Sequence, residues 1–179
     1  MTYPIIVVPD EAGESIEQLG TKRKFWFNDK RLLFKQGRPG TGENWAEKVA
    51  CELCGLLQLP HAHYDLAVWR GQPGVVTTSF LPPQWRLVHG NELLARIYPD
   101  YLTNQRYKRR QHLEAFASAR RLRGGAATFW LERLASLGPA DFEAIFQQVP
   151  PDLISDAAID FAMRMLDSNR ARLLGLAGR

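Results

Sequence analysis

The segment Leu33–Ala67 has the sequence LFKQGRPGTGENWAEKVACELCGLLQLPHAHYDLA, and its parts follow different patterns. Its first residues continue a short apolar run that ends at Lys35. The glycine- and proline-rich residues 36–42 follow, and this composition is typical of a loop. From Glu43 onward apolar side chains recur at helical spacing, and a proline ends the pattern. The segment therefore predicts a strand, a loop and a helix, followed by a second strand at residues 65–69.

Further strands are predicted on both sides of this segment. Residues 24–27 (KFWF) are aromatic and precede turn-forming residues, so they are expected to form a hairpin with the strand that ends at Lys35. Residues 4–8 (PIIVV) predict an edge strand, and residues 74–80 (GVVTTSF) predict another strand of the same sheet. The sequence thus predicts an antiparallel sheet accompanied by one helix.

The second half of the chain has helical patterns. The predicted helices cover residues 92–97, 111–122, 129–137, 140–148 and a last segment that Ser155 would cap. Asp141 is a candidate N-cap for the helix at residues 140–148. Strands and helices are therefore segregated, which is the organisation of an α+β protein. We predict two domains, at residues 1–95 and 96–179.

Composition and charge are those of an ordinary globular protein of 179 residues. Hydrophobic residues make up 45% of the chain and charged residues 23%, and the formal net charge of +4 excludes no class of partner. No apolar run approaches the roughly 20 residues that cross a bilayer, so no membrane partner is predicted. The first residues lack the basic and apolar regions of a signal peptide. We therefore expect a cytoplasmic protein.

The two cysteines, Cys51 and Cys54, lie within the predicted helix. Together with His61 and His63 they form a Cys-x2-Cys-x6-His-x-His pattern, which a zinc ion could use. The histidines, however, follow a proline just past the end of the helix, and the loop is short. Because an i, i+3 pair simply shares one face of a helix, we interpret the cysteines as buried thiols and expect no zinc.

Leu33–Ala67 resembles the N-terminal lobe of HipA-like kinases. This family has phosphatidylinositol-kinase-like relatives and includes serine/threonine kinases of toxin–antitoxin modules. In the family a strand lysine precedes a loop and then a helix that carries an acid in a similar setting. Residues 20–22, 74–80, 87–93 and 129–174 are also similar to these proteins. The resemblance implies a bacterial protein with a kinase N-lobe-like sheet and helix, followed by a small helical C-terminal part.

The resemblance also implies a nucleotide-binding site with ATP and Mg²⁺ as ligands. Lys35 would contact the α- and β-phosphates, and Glu47 would hold the lysine in place. Lys22 and Lys24 lie near the loop that would cover the phosphates, although this loop lacks the usual glycine spacing. The strand at residues 77–81 takes the place of the hinge, whose backbone would face the adenine. The candidate nucleotide-binding residues are therefore Lys35, Glu47, Lys22, Lys24, Thr78 and Phe80.

The residues that carry out phosphoryl transfer in this family are missing from the sequence. The family has a loop resembling N-x-D-R-H-x-x-N and a later metal-binding aspartate, and neither occurs in this sequence. The similarity stops near Glu114 and resumes near Arg121, where a section on the order of a hundred residues would be expected in a kinase-sized domain. We therefore predict an internally truncated, catalytically inactive kinase relative that binds a nucleotide or a partner.

Two other functions are compatible with the sequence. A nucleic-acid-binding module would use the basic cluster at residues 106–123, with which Tyr107 interleaves as a ring for base stacking. An active atypical kinase would have to use acids of the helical tail. These acids are Asp141, Asp152, Asp156 and Asp160. A protein partner or self-association is a further expectation, because a kinase fold without its central section exposes apolar surface.

Overall fold

The strands of the described chain form one five-stranded sheet. The structure is a computed structural model that describes residues 1–14, 23–80, 82 and 112–176. The strands are β1 (Ile5–Val7), β2 (Lys24–Phe27), β3 (Leu32–Gln36), β4 (Tyr64–Trp69) and β5 (Gln72–Thr78). Their spatial order is β1-β4-β5-β3-β2. All the predicted strands are therefore confirmed, and the first one lies at an edge.

One pairing in this sheet is parallel, although the sequence predicts antiparallel strands throughout. The pairs β2–β3, β3–β5 and β4–β5 are antiparallel, whereas β1 runs parallel to β4 with Ile5 opposite Leu66. Parallel neighbours need a long connection, and here the hairpin and a helix separate the two strands in the chain. The sheet is therefore mixed, with the parallel strand added at its edge.

Helix α1 (Glu43–Leu56) is the helix predicted within Leu33–Ala67. It begins after Gly42, whose φ of 71° lies in the left-handed region that glycine adopts without strain. A Cβ atom at Gly42 would lie 2.6 Å from the Trp45 ring. The turn into α1 therefore requires glycine for two reasons, its backbone angle and the closeness of the indole.

The C-terminal half is helical as predicted. It contains α2 (His112–Leu122), α3 (Gly124–Ser136), α4 (Pro139–Phe146) and α5 (Asp156–Leu174). The predicted helix at residues 92–97 lies outside the described residues. Ser155 caps α5, because its hydroxyl accepts a hydrogen bond from the Ala158 amide at 3.3 Å. The α+β class is thus confirmed.

Asp141 is not the N-cap of α4, and that prediction was wrong. The N-cap is Gly138, because Pro139 fits the first helical position and lets the helix begin earlier than the acid. The Asp141 carboxylate instead lies one turn inside α4 and accepts a hydrogen bond from the Gly138 amide at 2.7 Å. Asp141 therefore stabilises the start of the helix from within its first turn.

The two faces of the sheet carry separate hydrophobic cores. One face packs against α1 and the C-terminal helices through residues such as Val49, Val75 and Phe146. The other face holds Phe25, Phe34 and Trp69 among its buried residues, with Phe25 and Trp69 ring centroids 4.9 Å apart. A 3-10 helix (Asp10–Glu14) lies against β2. Consecutive side chains of β3 and β5 point to opposite faces of the sheet, and they therefore pack in different cores.

The predicted halves of the chain pack directly on each other. Val49 and Leu66 of the sheet-forming half share a core with Phe146 and Ile154 of the helical half. The Tyr3 amide also donates a hydrogen bond to the Gln148 carbonyl at 2.6 Å. The apolar faces of the two halves thus cover each other, and the contacts form a continuous core.

None of the helices in residues 1–14, 23–80, 82 and 112–176 has both the length and the apolar character of a bilayer-crossing segment.

Replacing Arg133 with methionine should lower the free energy of unfolding by about 1.5 kcal/mol. Arg133 of α3 donates hydrogen bonds to the last carbonyls of α1, to Leu57 at 2.9 Å and to Leu56 at 3.2 Å. These carbonyls have no partner within α1, and the guanidinium also complements the negative end of the helix dipole. Urea unfolding would measure the loss.

The control is Arg164→Met on the exposed side of α5, which should change stability by less than about 0.5 kcal/mol. Equal effects of the two substitutions would contradict the capping role.

Candidate functional site

Lys35 and Glu47 form an ion pair between the sheet and α1. Their Nζ and Oε2 atoms are 2.9 Å apart, although the residues lie 12 positions apart in the chain. Lys35 is on the face of β3 that packs towards α1, because it lies opposite Val75 of the core on that side. Glu47 lies one turn into α1. The two side chains are about one quarter exposed, at 25% and 27%, so solvent and a ligand can reach the pair.

Tyr64 is a third member of this site, and the sequence analysis missed it. Its hydroxyl accepts a hydrogen bond from Lys35 Nζ at 2.6 Å, and the ammonium lies 4.6 Å from the centroid of the same ring. Tyr64 is the first residue of β4 and lies opposite Thr77 of β5. The sequence contained a signal for this position, because side chains alternate along a strand. Tyr64 therefore shares a face with Leu66, which is two positions further on and buried on the α1 side.

Burial and hydrogen bonding have opposite effects on the Lys35 ammonium. Burial alone would lower the pKa of Lys35, but the hydrogen bonds to Tyr64 and Glu47 outweigh it and raise the pKa above its usual value. Lys35 is therefore charged at neutral pH, as a lysine that contacts phosphate must be.

Lys24 lies beside Lys35. It is directly opposite Lys35 in the β2–β3 pair, so both side chains leave the same face of the sheet. Lys24 is half-buried. The other predicted lysine of the phosphate-covering loop, Lys22, lies outside the described residues. The structure thus places two cationic side chains on neighbouring strands, on the same face of the sheet.

The side chains of Thr78 and Phe80 are not brought to Lys35. Thr78 is exposed and lies opposite Leu32, whose side chain packs on the other face of the sheet. Phe80 follows the end of β5 and is 67% exposed. Thr77 is the threonine on the Lys35 face, and its buried hydroxyl has no hydrogen-bond partner among the described residues. A backbone role for residues 77–80 stays a prediction.

A second ionic cluster lies further along α1. Lys48 is buried and its ammonium contacts Glu52 Oε1 at 2.7 Å and Asp65 Oδ1 at 3.3 Å. The Lys48 ammonium nitrogen also lies 4.7 Å from the centroid of the Tyr3 ring. Burial lowers the pKa of Lys48, but the two carboxylates outweigh this effect and raise it. The cluster ties α1 to β4 and holds the start of that strand beside Lys35.

Of the cysteines and histidines of the alternative zinc pattern, Cys51 and His63 lie close to each other. Cys51 is buried, and its Sγ lies 3.8 Å from His63 Nδ1. Cys54 is partly buried, and burial together with the neighbouring thiol raises its pKa. His61 Nδ1 lies 2.6 Å from the Leu59 carbonyl oxygen. Within the part of the chain that the structure describes, no three or more His, Cys, Asp or Glu side chains are placed to hold a metal ion.

The acids of the helical tail occupy turns and helix starts. Asp141 and Asp156 lie in the first turns of α4 and α5, Asp160 is exposed on α5, and Asp152 lies in the turn between these helices. The hydrogen bonds and ion pairs described for Lys35 involve none of them. The structure therefore gives the four acids positions suited to helix stabilisation and solvation.

The basic cluster of the alternative nucleic-acid module is described only in part. Residues 106–111 lie outside the described residues. Arg120 donates a hydrogen bond to the Leu176 carbonyl, and Arg121 and Arg123 are exposed around the junction of α2 and α3.

An apolar groove lies away from the ion pair. A groove of about 630 Å³ separates α1 from α5, and Trp45, Val49, Phe161 and Met165 are among the residues that line it. Neither Lys35 nor Glu47 contributes to its walls. The candidate site is instead the more polar surface where Lys35 of β3 contacts Glu47 of α1 and Tyr64 of β4.

Comparison with known proteins identifies the fold. No protein-family model matches the chain, and no curated protein matches it either. A crystal structure of the Helicobacter pylori proinflammatory kinase CtkA matches it with a TM-score of 0.57, over 97% of each chain and at 12% sequence identity. The fold is kinase-like. The ion pair between Lys35 and Glu47 therefore lies in a kinase-like fold. This is the kind of fold in which the sequence predicted the pair.

Proposed function

We propose that the protein is an internally truncated, HipA-like kinase-fold protein that binds a nucleotide without transferring its phosphate. The observation that supports this most directly is the ion pair between Lys35 Nζ and Glu47 Oε2, at 2.9 Å, within a kinase-like fold. A carboxylate that holds a strand lysine against α1 leaves the ammonium directed at a site where phosphate can bind. Lys24, on the neighbouring strand, adds a second positive charge.

The proposed loss of catalysis rests on the sequence and on α2. The loop that orients the attacking hydroxyl in HipA-like kinases has no counterpart in the sequence. The section between Glu114 and Arg121, where the resemblance is interrupted, lies within the single helix His112–Leu122. The nucleotide would therefore be held from the sheet side. Mg²⁺ would bind with the phosphates, and we assign it no protein ligand among the described residues.

A protein of this kind would act through binding. We propose a cytoplasmic role in which it holds a protein partner or a second copy of itself, as a kinase relative of a toxin–antitoxin system would. Exposed apolar side chains support a binding role, among them Phe129 at 54% and Phe161 at 70% exposure.

Titration calorimetry with Mg-ATP tests the proposed function. The wild-type protein should bind saturably, and Lys35→Met should bind at least tenfold more weakly, a loss of about 1.4 kcal/mol. Methionine retains most of the apolar stem, so the variant should remain folded. The control is Lys30→Ala, which removes the same charge from an exposed turn and should bind like wild type.

Release of phosphate should be measured in the same samples and should stay at the background rate. A wild-type protein that does not bind Mg-ATP would overturn the nucleotide-binding proposal. Turnover that is lost in Lys35→Met would overturn the proposed inactivity and would favour the atypical kinase.

A further inference from the structure

Tyr64 presents a hydroxyl proton next to the Lys35 ammonium. An ammonium has three N–H donors, and Lys35 directs two of them at Glu47 and Tyr64. A tyrosine hydroxyl that accepts a hydrogen bond still has its own proton to donate. Among the hydrogen bonds of the described residues, Tyr64 Oη acts only as the acceptor from Lys35. One N–H of Lys35 and the O–H of Tyr64 are therefore neighbouring donors whose heavy atoms are 2.6 Å apart.

We infer that Lys35 and Tyr64 together form a two-donor site for a phosphate group of the nucleotide, with Tyr64 both contacting the phosphate and positioning the lysine. The inference rests on the proposed function. Two adjacent donors can bind two oxygens of one phosphate group, or they can share one oxygen. Either arrangement fixes the orientation of the phosphate better than a lone ammonium does. The hydroxyl can also follow a phosphate oxygen, because it rotates about its C–O bond.

The surroundings of Tyr64 hold it in place for this role. Its backbone amide donates a hydrogen bond to Cys51 Sγ of α1 at 3.4 Å, and Asp65, the next residue, contacts the buried Lys48. The ring is partly buried and packs at the border of the core between the sheet and α1. The hydroxyl is thus fixed by β4 and α1 before any ligand binds, which lowers the ordering cost of binding.

The charge on Lys35 supports the same role. The Tyr64 hydroxyl is one of the two groups whose hydrogen bonds raise the Lys35 pKa against the effect of burial. Without that hydroxyl the ammonium would lose one of its two anchors, and its pKa should fall.

Tyr64→Phe isolates the hydroxyl, because the ring and its contact with the ammonium remain. We expect Mg-ATP and inorganic pyrophosphate to bind this variant about tenfold more weakly than wild type, as for loss of a hydrogen bond to a charged group. Adenosine, which has no phosphate, should bind both proteins equally. Tyr3→Phe is the matched control, because it removes a hydroxyl from the tyrosine beside Lys48 instead. It should leave all three affinities unchanged.

A second measurement separates positioning from a general structural effect. NMR titration of labelled lysine side chains should show a lower pKa for Lys35 in Tyr64→Phe and no change in Tyr3→Phe. Equal affinity of wild type and Tyr64→Phe for Mg-ATP and pyrophosphate would overturn the inference while leaving the proposed function intact. An equal loss for adenosine would also overturn it, since the defect would not concern phosphate. A wild-type protein that binds none of the three ligands would overturn both.

Discussion

Replacing Gly74 with alanine should destabilise the protein by about 3 kcal/mol, because a tightly packed position has no room for one more methyl group. A Cβ atom at Gly74 would lie 2.4 Å from the Lys35 carbonyl oxygen and 2.7 Å from the Phe34 ring. The first of these atoms belongs to the backbone of β3, which pairs with Gly74 through Gln36. The strand itself would have to move, and rotation of a side chain could not relieve the contact.

The same substitution should disturb the candidate site. A shift of β3 displaces Lys35 relative to Glu47, so Mg-ATP binding should weaken along with stability. Urea unfolding and calorimetry on the same sample would measure both effects. The control is Gly55→Ala in α1, where a Cβ atom would have no heavy atom within 4 Å. That variant should be more stable than wild type by roughly 1 kcal/mol, because alanine favours a helix over glycine. A Gly74→Ala protein as stable as wild type would contradict the close packing of β3 and β5.

Local sequence patterns were sufficient to predict the elements of this fold. The turn at Asn28–Asp29 adopts positive φ angles of 50° and 53°, as a tight hairpin requires, and the predicted β2–β3 hairpin forms around it. The apolar spacing after Glu43 gives α1 its buried side, and Ser155 caps α5. Each of these features depends on residues within a few positions of one another. The local sequence was therefore sufficient to predict these three features.

Features that depend on how distant segments meet were not predictable in the same way. The parallel pairing of β1 with β4 is decided by a connection of more than fifty residues, which no local pattern encodes. The predicted pair of Lys35 and Glu47 forms, but its prediction came from the resemblance, since spacing alone does not bring a strand residue to a helix residue. Tyr64 reaches Lys35 only through the register of β4, β5 and β3.

Register also decides which neighbouring residue belongs to a site. Thr77 and Thr78 are adjacent and chemically identical, yet a strand directs consecutive side chains to opposite faces. The pairing of Leu33 with Thr77 and of Leu32 with Thr78 assigns Thr77 to the face of Lys35. The sequence analysis named Thr78 for a hinge whose backbone would face the adenine, and that role stays a prediction, because the register assigns only the side chains to their faces.

Removal of both carboxylates around Lys48, by the double substitution Glu52→Gln and Asp65→Asn, should destabilise the protein by roughly 3 kcal/mol at pH 7. Lys48 has a side-chain exposure of only 5%, so its ammonium would remain in the interior without a counter-charge. The contact with the Tyr3 ring would remain, and the amide oxygens of the new side chains could accept hydrogen bonds, but neither carries a full negative charge. The matched control is Glu132→Gln with Asp160→Asn, two exposed acids on α3 and α5, and it should stay within about 0.5 kcal/mol of wild type.

The pH dependence of stability should distinguish a buried, unpaired charge from a loss of packing. In the wild-type protein the Lys48 pKa is raised from 10.5, so its contribution is complete below pH 10.5 and is lost only as pH rises through the folded-state pKa. In the double variant burial acts alone and lowers the pKa of Lys48. The folded state then releases its proton before the unfolded state does, so stability should increase relative to the control as the pH rises towards 10.5, the ordinary pKa of lysine. Adding Lys48→Met should restore most of the lost stability, because it removes the uncompensated charge and keeps the stem. If the triple variant is no more stable than the double variant, the loss is due to packing around α1 and β4, and the buried charge is not its cause.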